Sequence, residues 1–325
     1  MKLQQYTKDA ILTMKAQGFS SRQIGRALGI GKSTVNDFIA AQRNIGAEIV
    51  EGLQHLAEKR KEKGARILFL DVEVSPSIVV AFSRFKAFSS PDHVLQEPYM
   101  LTYVVKWKDE PQTYGNTILD ANEGYPEGHH TDDYQMVCAL WEYLDKADIV
   151  VAQNAKFDRG WFNQRCVVHG LNPPSPYKLV DTLAMLKKNF ALPSNSLAAA
   201  AQYFNLTRKK DHSGIGLWVR CMNGDRQAFD EMLDYNDGDV VTLEELYNTI
   251  QPFVQELPNM ALYHKDSKPR CAGCGSSDIV ETTKSAYTAL SEFKLVRCKG
   301  CGKHSRMRQN VRSKEQMQNT LTNVM

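Results

Sequence analysis

Apolar positions along the chain change their period twice. Over residues 6–42 they fall at helical spacing. Ile11 and Met14 mark a first short helix, "SSRQIGRALG" a second that Gly29 ends, and "GKSTVNDFIAAQ" a third. Ser20 and Gln23 stand at capping-box spacing before the second. Residues 46–64 read as a charged helical linker. From Arg66 strands and helices alternate. Residues 66–74 form a first strand, and "SIVVAFSRF" and "YMLTYVVKW" two more. A helix over 132–146 puts Met136, Ala139, Leu140 and Tyr143 on one face. "ADIVVAQNAKFD" is a strand running into a loop, and "KLVDTLAMLKKNF" repeats the arrangement with Asp181 placed to cap its helix. "SLAAAAQYFNL" and 225–252 are helical. This alternation predicts a mixed α/β domain ending near Leu257, followed by a linker, a small cysteine-bearing module and a polar tail expected to be disordered.

The boundaries read from this pattern are 1–45, a linker over 46–65, the α/β domain over 66–257, a linker over 258–269, the cysteine module over 270–308 and the tail over 309–325. A chain of 325 residues, 42% hydrophobic, is long enough to bury a substantial core. It has no run of eighteen apolar residues, and "MKLQQYTKDA" lacks the apolar centre of a signal peptide, so a cytoplasmic protein is expected. The net charge of +3 conceals an asymmetry: residues 1–65 carry 11 Lys/Arg against 6 Asp/Glu, residues 268–325 carry 11 against 4, and the centre is acidic, 18 against 27. Basic ends around an acidic centre suit nucleic acid at the ends and cations in the middle.

Within the first strand, Asp71 and Glu73 interrupt an otherwise apolar run. Alternate strand residues share a face, so both carboxylates project together while Val72 and Val74 point away. Two anions so placed repel, and burying them costs several kcal/mol or more without compensation. Divalent cations would supply it; solvated acids on an edge strand are the alternative. "IVVAQNAKFD" adds Asn154 and Asp158 just beyond a buried strand. "DYNDGDVV" adds Tyr235 and Asp239, four residues apart and hence on one helical face. Asp237 between them reads as a capping or surface residue.

In order and context, "DVE", "NAKFD" and "YNDGD" resemble the three motifs of DEDD exonucleases of the ribonuclease H-like fold. The tyrosine four residues before the last acid resembles the DEDDy subtype, and the likeness covers roughly 66–255. Pieces such as "VDTLAML" and "GIGLW" resemble DnaQ-like nucleases of phages and bacteria. Gln153 stands before Asn154, where related sequences often carry histidine. The resemblance implies a ribonuclease H-like mixed sheet flanked by helices and 3′→5′ removal of nucleoside monophosphates. It implies two Mg²⁺ or Mn²⁺ ions held by Asp71, Glu73, Asp158 and Asp239. Tyr235 would orient the attacking water, since a phenol with an ordinary pKa of about 10 is a poor base. Asn154 would touch nucleic acid. Two hard cations about 3.5–4 Å apart can clamp the entering and leaving oxygens of a phosphodiester.

Cys271, Cys274, Cys298 and Cys301 form two CxxC pairs with 23 residues between them, the spacing of a closed structural Zn²⁺ site, while Cys138, Cys166 and Cys221 are scattered. The module resembles a zinc ribbon, with "KSAYTAL" and "FKLVRC" as strands and Lys294, Lys299 and Lys303 as basic contacts for nucleic acid. "GFSSRQIGRALGIGKSTVNDFI" resembles a helix-turn-helix of the resolvase and invertase kind. Ile24, Leu28, Ile30, Val35 and Ile39 would be its core, and Lys32, Ser33, Thr34 and Asn36 would face a groove. "GIGKST" is not a phosphate-binding loop, because Arg26 stands where its first glycine belongs. The resulting expectation is a three-part, metal-dependent 3′–5′ exonuclease acting on DNA before RNA, in company with replication or recombination proteins. A transposase or recombinase with a ribonuclease H-like core, or a non-catalytic DNA-binding protein keeping the fold, are the alternatives. Strand transfer on two DNA ends would mark the first, and absence of metal binding the second.

Overall fold

The computed structural model describes residues 3, 5–16, 20–39, 64–82, 90–123, 131–207 and 214–322. It divides into two compact units, Met1–Lys63 and Gly64–Met325. In the first, helices α1 (Gln5–Ala16), α2 (Ser21–Leu28) and α3 (32–39) close around Ile11, Ile24 and Val35, all fully buried. Leu28, Ile30 and Ile39 pack against them as the pattern predicted, joined by Leu3, Met14 and Phe38. Gly29 takes a φ of +67° at the turn, a conformation that costs glycine little. The helical linker expected over 46–65 lies largely outside the described residues.

The second unit is built on a five-stranded mixed sheet in the order β5-β4-β1-β6-β7. Its strands are β1 (Ile67–Val74), β4 (Met100–Trp107), β5 (Thr113–Thr117), β6 (Ile149–Ala152) and β7 (Lys178–Asp181). β4 and β5 run antiparallel along one side of the central β1, and β6 and β7 parallel on the other. Apolar residues of β1 alternate between two clusters. Leu68, Leu70 and Val72 join one with α5 (Tyr134–Asp145), α6 (Ala155–Val168) and α9 (Ile215–Met222). Ile67 and Phe69 join the other with α7 (Thr182–Asn189), α8 (Leu197–Tyr203) and the later turns of α10 (Arg226–Ile250). Helices on both faces of a mixed sheet are the ribonuclease H-like architecture the motifs implied. Asp71 and Glu73 continue the Phe69 face at the point where its apolar residues stop.

"SIVVAFSRF" gives much less strand than predicted. Among its described residues only β2 (Ile78–Val79) forms, paired with β3 (Val94–Gln96) in an exposed hairpin outside the main sheet. Beyond α10, β8 (Ile279–Tyr287), β9 (Glu292–Cys298) and β10 (His304–Asn310) make a separate antiparallel sheet in the order β10-β9-β8. The third strand was not foreseen; its polar sequence, HSRMRQN, has no apolar alternation to announce it. The tail expected to be disordered continues from β10 into α11 (Lys314–Gln318), whose start is fixed by a reciprocal capping box between Ser313 and Gln316.

Candidate active site

Asp71 and Glu73 stand two residues apart on β1, and α10 delivers Tyr235 and Asp239 one turn apart. All four line one cleft, together with Asn154. α10 is fastened against the sheet so that this turn faces β1. The buried Asn236 amide donates to Thr102 Oγ1 at 3.0 Å, the Thr113 hydroxyl donates to Asp237, and buried Lys106 pairs with Glu244. Asp237, read as a capping or surface residue, is thus part of this fastening.

The opposite wall comes from the ends of the parallel strands, where α/β sheets open their ligand crevices. Asn154 begins α6 in the left-handed conformation, φ 63° and ψ 46°. Its N–H donates to Asp181 Oδ1 at 3.0 Å, and the same oxygen caps α7 through Leu183 N and Ala184 N, as the sequence predicted for Asp181. Gln153 accepts from the Thr182 hydroxyl and donates to Asn195 O at 2.8 Å. Gln153, Lys187 and Asn195 therefore join the cleft, and none of them was foreseen. Gln153 sits where a buried strand ends, which is a usable signal. Lys187 and Asn195 arrive from α7 and the loop before α8, with no spacing that links them to the acids.

Asp158 does not line this cleft. It is 3% exposed in the first turn of α6, behind the acids, and Oδ1 accepts the Val72 N–H at 3.1 Å. Burial pushes its carboxyl up to about 8, with Glu73 and Asp181 adding to the rise against the pull of two backbone N–H groups. Tyr235 is pushed well above the ordinary phenol range, first by burial, then by the charges of Asp239, Glu73 and Asp71 and a hydrogen bond with Asp239. It is a neutral phenol.

The carboxylates of the cleft are hard oxygen ligands, which suits Mg²⁺ or Mn²⁺, and a cation would offset the Glu73 charge that adds to the rise at Asp158. Among the described residues, ligand atoms of three or more Cys, His, Asp or Glu come within 4.8 Å of one another at two other places. The cleft acids are not one of these two groups. Asp132, Asp133 and His169 form one of the two tight groups. Fully buried Asp133 already binds the Arg165 guanidinium through both oxygens, at 2.7 and 2.8 Å, with His169 at 2.5 Å and Met100 N–H at 2.8 Å. That guanidinium holds the position a cation would take, so the group clamps α5, α6 and β4 together.

The other group is Cys271, Cys274, Cys298 and Cys301. Cys271 and Cys301, and Cys274 and Cys298, bring their sulfurs to 3.6 Å, close to the edge of about 3.8 Å of a tetrahedron with bonds of about 2.3 Å. The Cys274 side chain draws the Cys271 thiol well below the ordinary range, toward the thiolate a metal needs. Cys166 and Cys221 are core thiols, pushed by burial to about 11 and about 12.

Of the expected nucleic-acid contacts outside the cleft, Lys32, Ser33 and Asn36 are exposed on α3 and Thr34 is half-buried. Lys294 and Lys299 are exposed but paired with Glu281 at 3.1 Å and Asp278 at 3.4 Å. Lys303 is half-buried, and its ammonium donates to the carbonyls of Gln251 and Val254 just past the end of α10.

Residues 116–251 match the family described as RNase_H superfamily, a span from β5 to the end of α10 that includes Asn154, Asp158, Tyr235 and Asp239 but not Asp71 or Glu73. No curated protein matches the chain. Among solved structures it is similar, at 13% identity, to the "Crystal structure of the Mos1 Strand Transfer Complex", covering 77% of this chain and 78% of that one. The TM-score of that pairing is 0.18, too low to assign anything to this chain. The sheet topology and the family match agree on a ribonuclease H-like fold.

Proposed function

We infer that this chain is a metal-dependent nuclease that removes nucleoside monophosphates from the 3′ end of nucleic acid. The observation that carries this reading is the convergence of Asp71 and Glu73 from β1 with Tyr235 and Asp239 from α10 on one cleft. Asp71, Glu73 and Asp239 would hold two divalent cations, with Asp158 behind them completing the charge. Bound there, the cations would supply a coordinated water as nucleophile and offset charge on the phosphate and the leaving oxygen. Tyr235, kept protonated by burial and by its hydrogen bond with Asp239, would position the water and not act as a base. Lys187, on the cleft wall lined also by Asn154 and Asn195, offers a cation to the incoming backbone. The three-helix unit, with Lys32, Ser33 and Asn36 exposed on α3, would hold DNA. The cysteine site would hold one structural Zn²⁺; its four thiolates leave no open position for water.

The test is purified full-length protein with Mg²⁺ or Mn²⁺ on 5′-labelled single-stranded and duplex DNA and RNA. Stepwise shortening that stops on chelation is expected. Internal cuts, or joining of two DNA ends, would replace the exonuclease reading by a nicking or strand-transfer one.

A further inference from the structure

The cysteine module looks like an appendage in the sequence, joined through a polar linker. In the structure that linker is packed. Met260 is 3% exposed within the same apolar cluster as Phe69, Val240, Tyr247 and Ile250, and its N–H donates to Ala272 O at 2.9 Å. Ala272 lies inside the first CxxC turn. At Gly273 beside it an added Cβ would meet Lys303 Cδ at 2.5 Å and Gln251 Oε1 at 3.0 Å, so those side chains would have to shift. The first knuckle is therefore pressed onto the end of α10. Lys303, two residues past the last cysteine, donates to the carbonyls of Gln251 and Val254 at that same end, where the helix dipole favours a cation.

A second route leads from the cysteines to the acids through rings. Tyr247 is 2% exposed and lies in the same apolar cluster as Met260, which is hydrogen-bonded to the first knuckle. Its ring packs edge-on against Phe69, with centroids 5.6 Å apart and planes at 68°. Phe69 precedes Asp71 by two residues on the same face of β1, and Tyr247 follows Asp239 by two helical turns on α10. The cysteine site thus bears on both elements that carry the cleft acids.

We propose that the cysteine module is a positioning element of the carboxylate cleft, acting through Lys303 at the end of α10 and through Tyr247 against Phe69, so that metal occupancy at the cysteines strengthens divalent-cation binding at the acids. This rests on the reading of the cleft as a divalent-metal site. The coupling is reciprocal, as linkage requires: cations at the acids would tighten Zn²⁺ at the cysteines.

The experiment measures Mn²⁺ affinity of the full chain by calorimetry, zinc-loaded and zinc-stripped, in the wild type and in Lys303→Met, which keeps most of the aliphatic stem and loses the charge. Far-ultraviolet circular dichroism checks that each sample is folded. Zinc removal and Lys303→Met are each expected to weaken Mn²⁺ binding, by a factor on the order of 5–150. Equal Mn²⁺ affinity in folded samples with and without zinc overturns the proposal. Where stripped protein or variant fails to fold, hydrogen exchange on the wild type decides. Added zinc should slow exchange of the amides over 239–250, and unchanged exchange there overturns the proposal. If the zinc-loaded wild type binds no Mn²⁺, the metal reading of the cleft has failed, and the same exchange measurement still decides whether the module acts on α10.

Discussion

The two basic modules at the ends of the chain are held together by opposite means. The N-terminal unit closes three short helices on a core of its own, with Ile11, Ile24 and Val35 at 0% exposure. The cysteine module has little such core. Phe293 and Val296 are each 8% exposed, Arg306 covers the Phe293 ring, and the rest of the interior is cysteine. A module that small needs a metal or a neighbour. This one offers a metal site and leans on α10 as well. Similar charge and size in the sequence thus hide one self-contained unit and one that belongs structurally to the α/β domain.

Cutting the chain after Leu257 should break the comparison most severely. It uncovers Tyr247, Ile250 and Val254 and removes Met260, and each such side chain is worth roughly 1.5–3 kcal/mol when buried. The sum is a large part of the ~5–15 kcal/mol that holds a domain folded. The truncated protein should show no cooperative thermal transition by circular dichroism; a soluble fragment with the wild-type Tm would make the module an appendage after all. Cys298→Ser should do less. It should release zinc, read by a chromogenic chelator, and lower Tm by several degrees while the α/β domain keeps its far-ultraviolet spectrum. An unchanged zinc content would remove Cys298 from the ligand set.

Asp158→Asn should shift stability by a smaller amount, with a defined pH dependence. The folded carboxyl is raised from 3.8 to about 8, so between those values the unfolded chain has released a proton that the folded one keeps. Metal-free stability therefore falls as pH rises through that window, and the full cost is present above it. The amide removes that cost. Its gain in metal-free Tm should be larger at pH 8 than at pH 4; equal gains would contradict the assignment. Deleting residues 1–63 should have the least effect on the rest. The Tm of the larger unit and cleavage of short oligonucleotides should stay at wild-type values, while affinity for long DNA falls and its salt dependence becomes shallower. A lost transition would show that the N-terminal unit is as integral as the cysteine module.

Much of this was legible in the sequence where local chemistry decides. β1, β4, α5 and α10 follow from apolar period, and the acids at 71, 73 and 239 with Tyr235 follow from strand and helix spacing. The paired cysteines follow from their motif. What escaped depends on long-range contact. Lys303 reads as a surface cation until the carbonyl end of α10 is seen beneath it. Asp158 reads as an equal of the other acids until burial separates it from the cleft. Lys187 and Asn195 have no local signature because the fold alone brings them to the acids. The expected strand after Pro76 is shortened to β2 among its described residues, where Ile78, Val79 and Val80 remain about two-fifths exposed.

The central claim is that the cleft acids hold the cations that drive phosphodiester cleavage. The most direct measurement compares wild type and Asp239→Asn on a 5′-labelled single-stranded oligonucleotide in Mg²⁺, with thermal unfolding of both as a control. The account predicts a ladder shortening from the 3′ end for the wild type. For the folded variant it predicts a rate lower by a factor on the order of 10²–10³ or more, as for loss of one group stabilising transition-state charge. Equal rates in two folded proteins would contradict it.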